Sequence, residues 1–167
     1  KYLIITEELA SKETYLAKID SNPLQIVSKN LIPGFDNYEV RCIATADNNF
    51  IIYAAKEGSL GGLARKIDKT GHAIWQHDLV LSGSTDDNGS YTIIETSDGS
   101  IAALSSSLLL TVWDKNGNTK MKIDFSGFVQ GNNFLCEPTE KGFVFASSDG
   151  SRVYIIKTLP DGTIKTE

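Results

Sequence analysis

The sequence predicts an all-β protein in which a four-stranded antiparallel sheet is repeated about four times along 167 residues. Two landmarks recur with nearly the same period, and each period contains four short segments rich in β-branched and aromatic residues. A recurring unit of this length indicates one supersecondary unit per copy, which buries its apolar surface against its neighbours. The repeat therefore defines the predicted fold before any single element is assigned.

The first landmark is a hairpin turn that contains an aspartate and usually ends in glycine. It occurs at residues 18–23, 66–71, 112–117 and 158–162. Asp20 and Asp68 are 48 positions apart, and Asp68 and Asp114 are 46 apart. The glycines, Gly71 and Gly117, can take the positive φ that a tight hairpin or its bulge requires. We therefore predict that these aspartates and glycines are structural residues of the turns.

The second landmark is a threonine placed three positions before a glycine or asparagine. Thr45, Thr96 and Thr139 fit this description, and each precedes an apolar stretch, at residues 50–55, 101–104 and 144–146. These stretches are continuously apolar and do not alternate with polar residues. That pattern predicts that the second strand of each copy is covered on both of its faces.

The clearest copy has predicted strands at residues 91–96, 101–105, 109–113 and 120–125. Consecutive strands joined by tight turns are antiparallel neighbours, so each copy is a four-stranded meander. The same count along the chain predicts a single repeat domain over residues 1–167, with copies at residues 1–30, 38–82, 90–126 and 132–167. The first copy lacks its opening strand and has three strands, and the other three copies have four each.

One segment, residues 7–19, also permits an amphipathic helix. Leu9, Leu16 and Ile19 lie near helical spacing within it. The equivalent stretch of the next copy, residues 56–67, contains Gly58, Gly61 and Gly62 and reads as loop and strand. We therefore expect strand, with the helix as the alternative.

The segment from Asp68 to Trp75 resembles the repeat signature of quinoprotein-like (PQQ-type) β-propellers. It has an aspartate, the Thr70–Gly71 pair and a tryptophan four residues after the glycine. The other copies have Val27, Met121 and Thr166 where Trp75 stands. The resemblance implies a small or partial β-propeller, in which Trp75 docks against the neighbouring blade.

Repeats of this turn-rich, asparagine-rich style also resemble those of bacterial exported and surface lipoproteins. This resemblance, together with a first residue that is not methionine, implies an extracytoplasmic location, periplasmic or at the cell surface.

The charge balance argues against binding to nucleic acid. The chain has 16 Lys and Arg against 21 Asp and Glu, a net charge of −5, and no basic cluster. Its longest apolar runs are far short of the roughly 20 residues of a membrane-spanning helix. We therefore expect neither a nucleic-acid partner nor a membrane span.

The sequence contains no recognisable catalytic, cofactor or metal signature. His72 and His77 have no third ligand at a metal spacing. Residues 86–89 lack the later ligands of a calcium loop. Trp113 and Trp75, the only tryptophans, lie near outer strands, where we expect them to fill the packing between blades. We therefore assign no catalytic, cofactor-binding or metal-binding residue.

Cys42 and Cys136 occupy equivalent places on the first strands of the second and fourth copies. A whole blade separates them, and sheets pack about 10 Å apart. Their Cα atoms should therefore lie beyond the roughly 7 Å limit for a disulfide. Both are predicted to be buried thiols.

The leading functional hypothesis is a noncatalytic binding or scaffolding module, because repeat folds present extended loops and edges to partners. The expected partner is another protein or a second copy of the chain. The alternative is recognition of a carbohydrate or other small ligand at the blade-top loops, with contacts from Phe35, Tyr38 and Phe128. A third hypothesis is a degenerate quinoprotein enzyme.

Overall fold

The regular structure consists of β-strands, and no helix occurs in the part of the chain that the computed structural model describes. Those residues are 2–8, 13–35, 38–56, 61–80, 91–105, 108–126, 135–139, 142–148 and 151–164. The strands form four antiparallel sheets, each with its strands side by side in chain order. The predicted all-β, antiparallel class is therefore confirmed. Within the described ranges no helix is long and apolar enough to cross a membrane.

Sheets A and B come first in the chain. Sheet A contains β1 (Tyr2–Glu8), β2 (Glu13–Ser21) and β3 (Leu24–Ile32). Sheet B contains β4 (Tyr38–Ala44), β5 (Phe50–Lys56), β6 (Gly61–Ile67) and β7 (Ala73–Val80). The three strands of sheet A match the prediction for the first copy. Because β1 and β2 occupy most of residues 7–19, the helical alternative is excluded.

Sheets C and D follow. Sheet C contains β8 (Tyr91–Glu95), β9 (Ile101–Ser105), β10 (Leu109–Trp113) and β11 (Thr119–Asp124). Sheet D contains β12 (Leu135–Thr139), β13 (Gly142–Ser148) and β14 (Val153–Lys157). The strands of sheet C lie within a residue of their predicted positions. A fourth strand predicted for sheet D is represented, among the described residues, by a single bridge between Thr158 and Ile164.

The chain divides into two compact units, Lys1–Leu79 and Val80–Glu167. In the first unit, side chains of sheets A and B form one apolar cluster: Leu16, Ile32, Phe35, Ile52, Ala54, Leu63 and Ile67. In the second unit, sheets C and D form the other: Ala102, Leu104, Leu108, Leu110, Val112, Phe125, Phe143, Phe145 and Ile156. Each unit is therefore a pair of sheets packed face to face, because an apolar sheet face is stable only when another layer covers it.

The second strands of sheets B and C are buried on both faces, as their continuous apolar runs predict. All five residues of β9 are buried. In β5, neighbouring residues Ile51 and Ile52 point to opposite faces and neither has exposed surface. The prediction is therefore confirmed for sheets B and C, whereas in sheet D Val144 and Ala146 of β13 are only half-buried.

Five hairpins share one turn geometry, at residues 45–49, 68–72, 96–100, 114–118 and 159–163. In each, the first N–H donates to the carbonyl of the fifth residue, and the fourth N–H donates to the carbonyl of the first. The fourth residue has a positive φ between 62° and 95° in every case. This is a type I turn closed by a left-handed residue, a standard three-residue hairpin loop. The predicted turn glycines Gly71 and Gly117 occupy that fourth position.

Candidate functional site

Strand β3 has an exposed apolar surface. It lies at the edge of sheet A, paired with β2 on one side, and eight of its nine residues are exposed. Four of the exposed residues are large and apolar: Leu24 is 80% exposed, Ile26 61%, Val27 50% and Leu31 49%. Scattered exposed apolar residues are ordinary, whereas a contiguous set along one edge strand points to an interaction surface.

The register of β2 and β3 explains which side chains are covered. Directly opposed residues share a face of a sheet. Ile32 pairs with Thr14 on the face that packs in the first unit's core, and it is the one buried residue of β3. A bulge between Lys18 and Ile19 leaves Val27 without an opposed residue. The exposed apolar residues of β3 are therefore turned away from the core by the register itself.

Lys29 is the basic side chain of β3, and it lies over the aromatic ring of Tyr15 on β2. Its Nζ is 3.7 Å from the ring centroid. The Tyr15 hydroxyl donates a hydrogen bond of 2.8 Å to Glu13 Oε2. These contacts tether the lysine to its own sheet. The charge is therefore held to one side, and the apolar residues of β3 remain uncovered.

The predicted structural residue Asp68 organises its turn through its side chain. Its Oδ1 accepts hydrogen bonds from the Thr70 N–H at 2.7 Å, the Thr70 hydroxyl at 2.6 Å and the His72 N–H at 3.1 Å. These bonds hold the pKa of Asp68 below its ordinary value, the Thr70 side chain contributing most. An aspartate that accepts hydrogen bonds from the backbone N–H groups that follow it mimics a backbone turn, here in addition to the backbone bonds of the hairpin. Asp68 and Thr70 therefore act within the hairpin.

Asp114 makes the equivalent turn in sheet C. Its Oδ1 accepts from the N–H groups of Asn116 and Asn118, each at 2.8 Å, and its Oδ2 accepts from the Asn118 amide at 2.9 Å. The Asn118 side chain, followed by these backbone N–H groups, lowers the pKa of Asp114. The Asp114 turn therefore uses the same chemistry as the Asp68 turn.

Both tryptophans are buried. Trp113 closes β10, and Trp75 lies on β7 with its ring centroid 5.3 Å from that of His77. His72, in the turn, is largely exposed, and its Nδ1 is 2.8 Å from the Thr70 hydroxyl. Within the described ranges no three His, Cys, Asp or Glu side chains lie close enough to hold a metal. The docking of Trp75 on a neighbouring sheet stays a prediction, and residues 86–89 lie outside the described ranges.

The hairpins between first and second strands contain a second type of aspartate, which binds a lysine. In sheet B, Asp47 accepts from the buried Lys66 ammonium on β6 at 2.6 Å and from the Thr45 hydroxyl at 2.6 Å. Lys66 is 1% exposed, so Asp47 is the counter-ion of an ammonium group that is buried away from solvent. In sheet C, Asp98 accepts from Lys120 at 2.8 Å and from the Thr96 hydroxyl at 2.6 Å, and both members of that pair are exposed.

These aspartates predict a loss of stability in acid. Partial burial raises the pKa of Asp47, but hydrogen bonds from Lys66, Thr45 and Asn49 outweigh it and lower the pKa to about 2. The pKa of Asp98 is also well below its ordinary value, mainly because of Lys120. A depressed pKa adds stability above the unfolded-state pKa of about 4, and that stability is lost as pH falls toward the folded-state value.

We therefore expect the free energy of unfolding, measured with urea, to decrease between about pH 4 and pH 2. A variant with Asp47→Asn and Asp98→Asn should lose less over this interval, because its amides do not titrate. A wild-type curve that stays flat down to pH 2 would contradict the assignment of these low pKa values.

Of the three predicted ligand contacts, the structure describes the side chain of Phe35, and that side chain does not lie at an open surface. Phe35 has no exposed surface and lies in the first unit's core, beneath the guanidinium of Arg65 at 4.7 Å from the ring centroid. Arg65 is fixed there by bonds to the Pro33 carbonyl and to Gln76 Oε1. The backbone of Tyr38 opens β4, and Phe128 lies outside the described ranges. In this conformation Phe35 supports Arg65 and offers no face to a ligand.

The prediction for Cys42 is corrected in part. It forms no disulfide, but its side chain is exposed, whereas a buried thiol was expected. The expectation assumed that the first strand of each copy lies innermost and is therefore covered. In sheet B, β4 is instead an edge strand, and Arg41 and Ala44 on it are exposed as well. The side chain of Cys136 is outside the described ranges.

Sequence reasoning did not single out the apolar surface of β3. One signal was available: Val27 stands where the Asp68 turn has Trp75. Trp75 is 9% exposed and Val27 is 50% exposed. A repeat that replaces its packing tryptophan with a smaller residue has changed what that position contacts.

Comparison with known proteins supports the fold alone. No family model matches the chain, and no curated protein matches it. A solved structure of a protein of unknown function from Bacteroides caccae is similar, with a TM-score of 0.59 at 13% sequence identity. The match covers 98% of this chain and 56% of that one, so the chain spans about half the length of its structural neighbour. The resemblance to PQQ-type repeats gains no support from these comparisons and stays a prediction.

Proposed function

We propose that this chain is a noncatalytic protein-binding module built from propeller-type blades, and that strand β3 is the element that contacts its partner. The exposure of β3 supports this proposal most directly. An edge strand offers unpaired N–H and C=O groups to another strand, and flanking apolar side chains supply affinity. A partner strand added beside β3 would gain both.

Strand β11 provides the internal comparison, because it occupies the same outer position in sheet C. Its exposed residues are polar or charged, and its apolar residues, Met121 and Ile123, are half-buried and pack against the second unit's core. Lysines on an edge strand discourage unwanted pairing. On β3 the pattern is different, since exposed positions are held by Leu24, Ile26 and Leu31. The exposed surface of β11 is therefore polar, whereas that of β3 is largely apolar.

The propeller part of the proposal rests on repetition. The four sheets have their strands in chain order, and five hairpins share one turn geometry. Blades of a propeller are four-stranded meanders of this kind. We propose a small or partial propeller, exported from the cytoplasm.

A photo-activated cross-linking residue placed at Ile26 tests the binding function. Irradiation of the native protein in cells that produce it should give a discrete cross-linked band, to another protein or to a second copy. The matched control places the same residue at Lys122, an exposed position of β11. Equal labelling from both positions, or recovery of the lone chain from both, would remove the proposal.

A further inference from the structure

The strand registers place the sheets in structural correspondence. In sheet C, Ile101 opposes Trp113 at the end of β9 and β10 that is farthest from the turn joining them. In sheet D, the corresponding pair is Phe143 and Thr158, whose backbone bond is 2.8 Å. Counting inward from these pairs, Leu104 opposes Leu110 in sheet C as Ala146 opposes Ile155 in sheet D. Equivalent positions of the two sheets can therefore be compared directly.

Equivalent faces of sheets C and D differ in their covering. In sheet C, the face with Ala102, Leu104 and Leu110 has no exposed surface, because Phe143, Phe145 and Ile156 of sheet D pack in the same cluster. In sheet D, the corresponding face has Val144 and Ala146 half-buried, while Val153 and Ile155 are each 71% exposed. The exposed face of sheet D is therefore equivalent to the face of sheet C that packs against sheet D.

Sheet A has the opposite face uncovered. Ile19 precedes the turn aspartate Asp20 as Ile67 precedes Asp68, so the face of β2 with Tyr15 and Ile19 corresponds to the face of β6 with Leu63 and Ile67. In sheet B that face packs in the first unit's core, against Leu16 and Ile32 of sheet A. In sheet A it has Tyr15 and Ile19 half-buried, with the exposed Leu31 and Ile26 opposite them on β3.

We infer that sheet D of one copy packs face to face on sheet A of a second copy. Inside each unit, one face of the earlier sheet packs against the opposite type of face of the later sheet. The proposed contact follows the same rule, because sheet D exposes the first type of face and sheet A exposes the second. Both faces have large exposed apolar residues, so their contact removes apolar surface from water. Lys157, opposite Val144, is the charged residue of the described part of the sheet D face. The inference rests on the proposed protein-binding function and names the partner as the chain itself.

A cation on the sheet A face is compatible with this packing. Lys29 occupies that face opposite Ala17, held over the Tyr15 ring. The residue of sheet B that corresponds to Ala17 is Arg65, which lies over Phe35 within the packed first unit. A tethered cation over an aromatic ring is therefore already accommodated once between two sheets of this chain.

The contact is heterologous, because two different faces meet, and it either closes into a ring or continues as an open chain. This property gives a specific test with two double variants, V153K/I155K and L24K/I26K. All four positions are exposed, so the substitutions should leave each unit folded, which far-UV circular dichroism checks. Sedimentation velocity over a concentration series then measures association.

The wild type should self-associate, and each double variant alone should associate at least about tenfold more weakly, because lysines on either face would be buried without partners. An equimolar mixture of the two variants should form a 1:1 heterodimer, since one supplies an intact sheet A face and the other an intact sheet D face. T119K, an exposed substitution on β11, should associate like the wild type.

Three results would overturn the inference: a monomeric wild type, a double variant that associates as well as the wild type, or a mixture that stays monomeric. If one face paired with its own copy in an isologous dimer, one variant alone would keep associating. A monomeric wild type that still cross-links from Ile26 to a different protein would refute the self-association and leave the binding function standing. The two proposals therefore fail separately.

Discussion

Gly142→Ala should destabilise the second unit by about 3 kcal/mol or more, because the backbone there can accept neither a side chain nor the required torsion angle. Gly142 has φ of 141°, a region that residues with a side chain rarely adopt. A Cβ at this position would collide with the carbonyl oxygen of Thr158. Because the Thr158 carbonyl belongs to the backbone, it cannot rotate out of the way as a side chain could.

The collision would push apart the groups that form two hydrogen bonds between β13 and the residue that follows β14. The Phe143 N–H donates to the Thr158 hydroxyl at 3.0 Å, and the Thr158 N–H donates to the Phe143 carbonyl at 2.8 Å. Chemical denaturation followed by circular dichroism measures the effect. We expect either a large shift of the midpoint or failure of the unit to fold.

Gly99→Ala is the matched control, because Gly99 ends the equivalent hairpin of sheet C. It also has a positive φ, 77°, but a Cβ there would have no atom within 4 Å. Only the left-handed backbone penalty remains, about 1–2 kcal/mol. Equal losses from the two alanine variants would show that the contact with Thr158 is not responsible.

Asp47→Ala should cost about 2–3 kcal/mol, because it leaves the Lys66 ammonium buried without its counter-ion. The value lies below the full range for a completely buried pair, since the Asp47 side chain is 46% exposed. Asp98→Ala loses similar turn contacts and the ion pair with the exposed Lys120, and it should cost only about 1 kcal/mol. Urea denaturation of both variants gives the difference.

The double variant with Asp47→Ala and Lys66→Met separates charge burial from lost turn contacts. Methionine fills much of the lysine's volume without its charge, and replacing a buried pair by apolar residues is often neutral or stabilising. We expect the double variant to be more stable than Asp47→Ala alone. If it is less stable, the loss in Asp47→Ala comes from the hairpin and not from the buried ammonium.

The turns were predictable because their chemistry is local. Asp68 and Asp114 bind backbone groups within four residues, and Gly71 and Gly117 take the left-handed position of the same hairpins. Such contacts depend on a few neighbouring residues and leave a pattern in the sequence. The strands between the turns were predictable for the same reason, as in sheet C.

The backbone conformation of Leu108 could not be predicted from its neighbouring residues. It has φ of 64° and is buried in the second unit's core, although leucine has no preference for that conformation. The Ser105 hydroxyl accepts from the Leu109 N–H at 3.0 Å, and the Leu108 carbonyl accepts from the Phe125 N–H at 3.0 Å. Packing and these bonds impose the conformation, so the sequence around Leu108 does not indicate it.

By itself the sequence determined where the strands and hairpins lie, because alternation, apolar runs and turn residues act over a few positions. Beyond the doubly covered second strands of sheets B and C, which surfaces are covered was decided by tertiary structure. Phe35 lies in the core and Cys42 at the surface, and Ile26 and Ile155 are exposed although similar residues elsewhere are buried. The physical reason is that burial depends on whether another sheet packs against a face, and a single strand's sequence does not specify its neighbour.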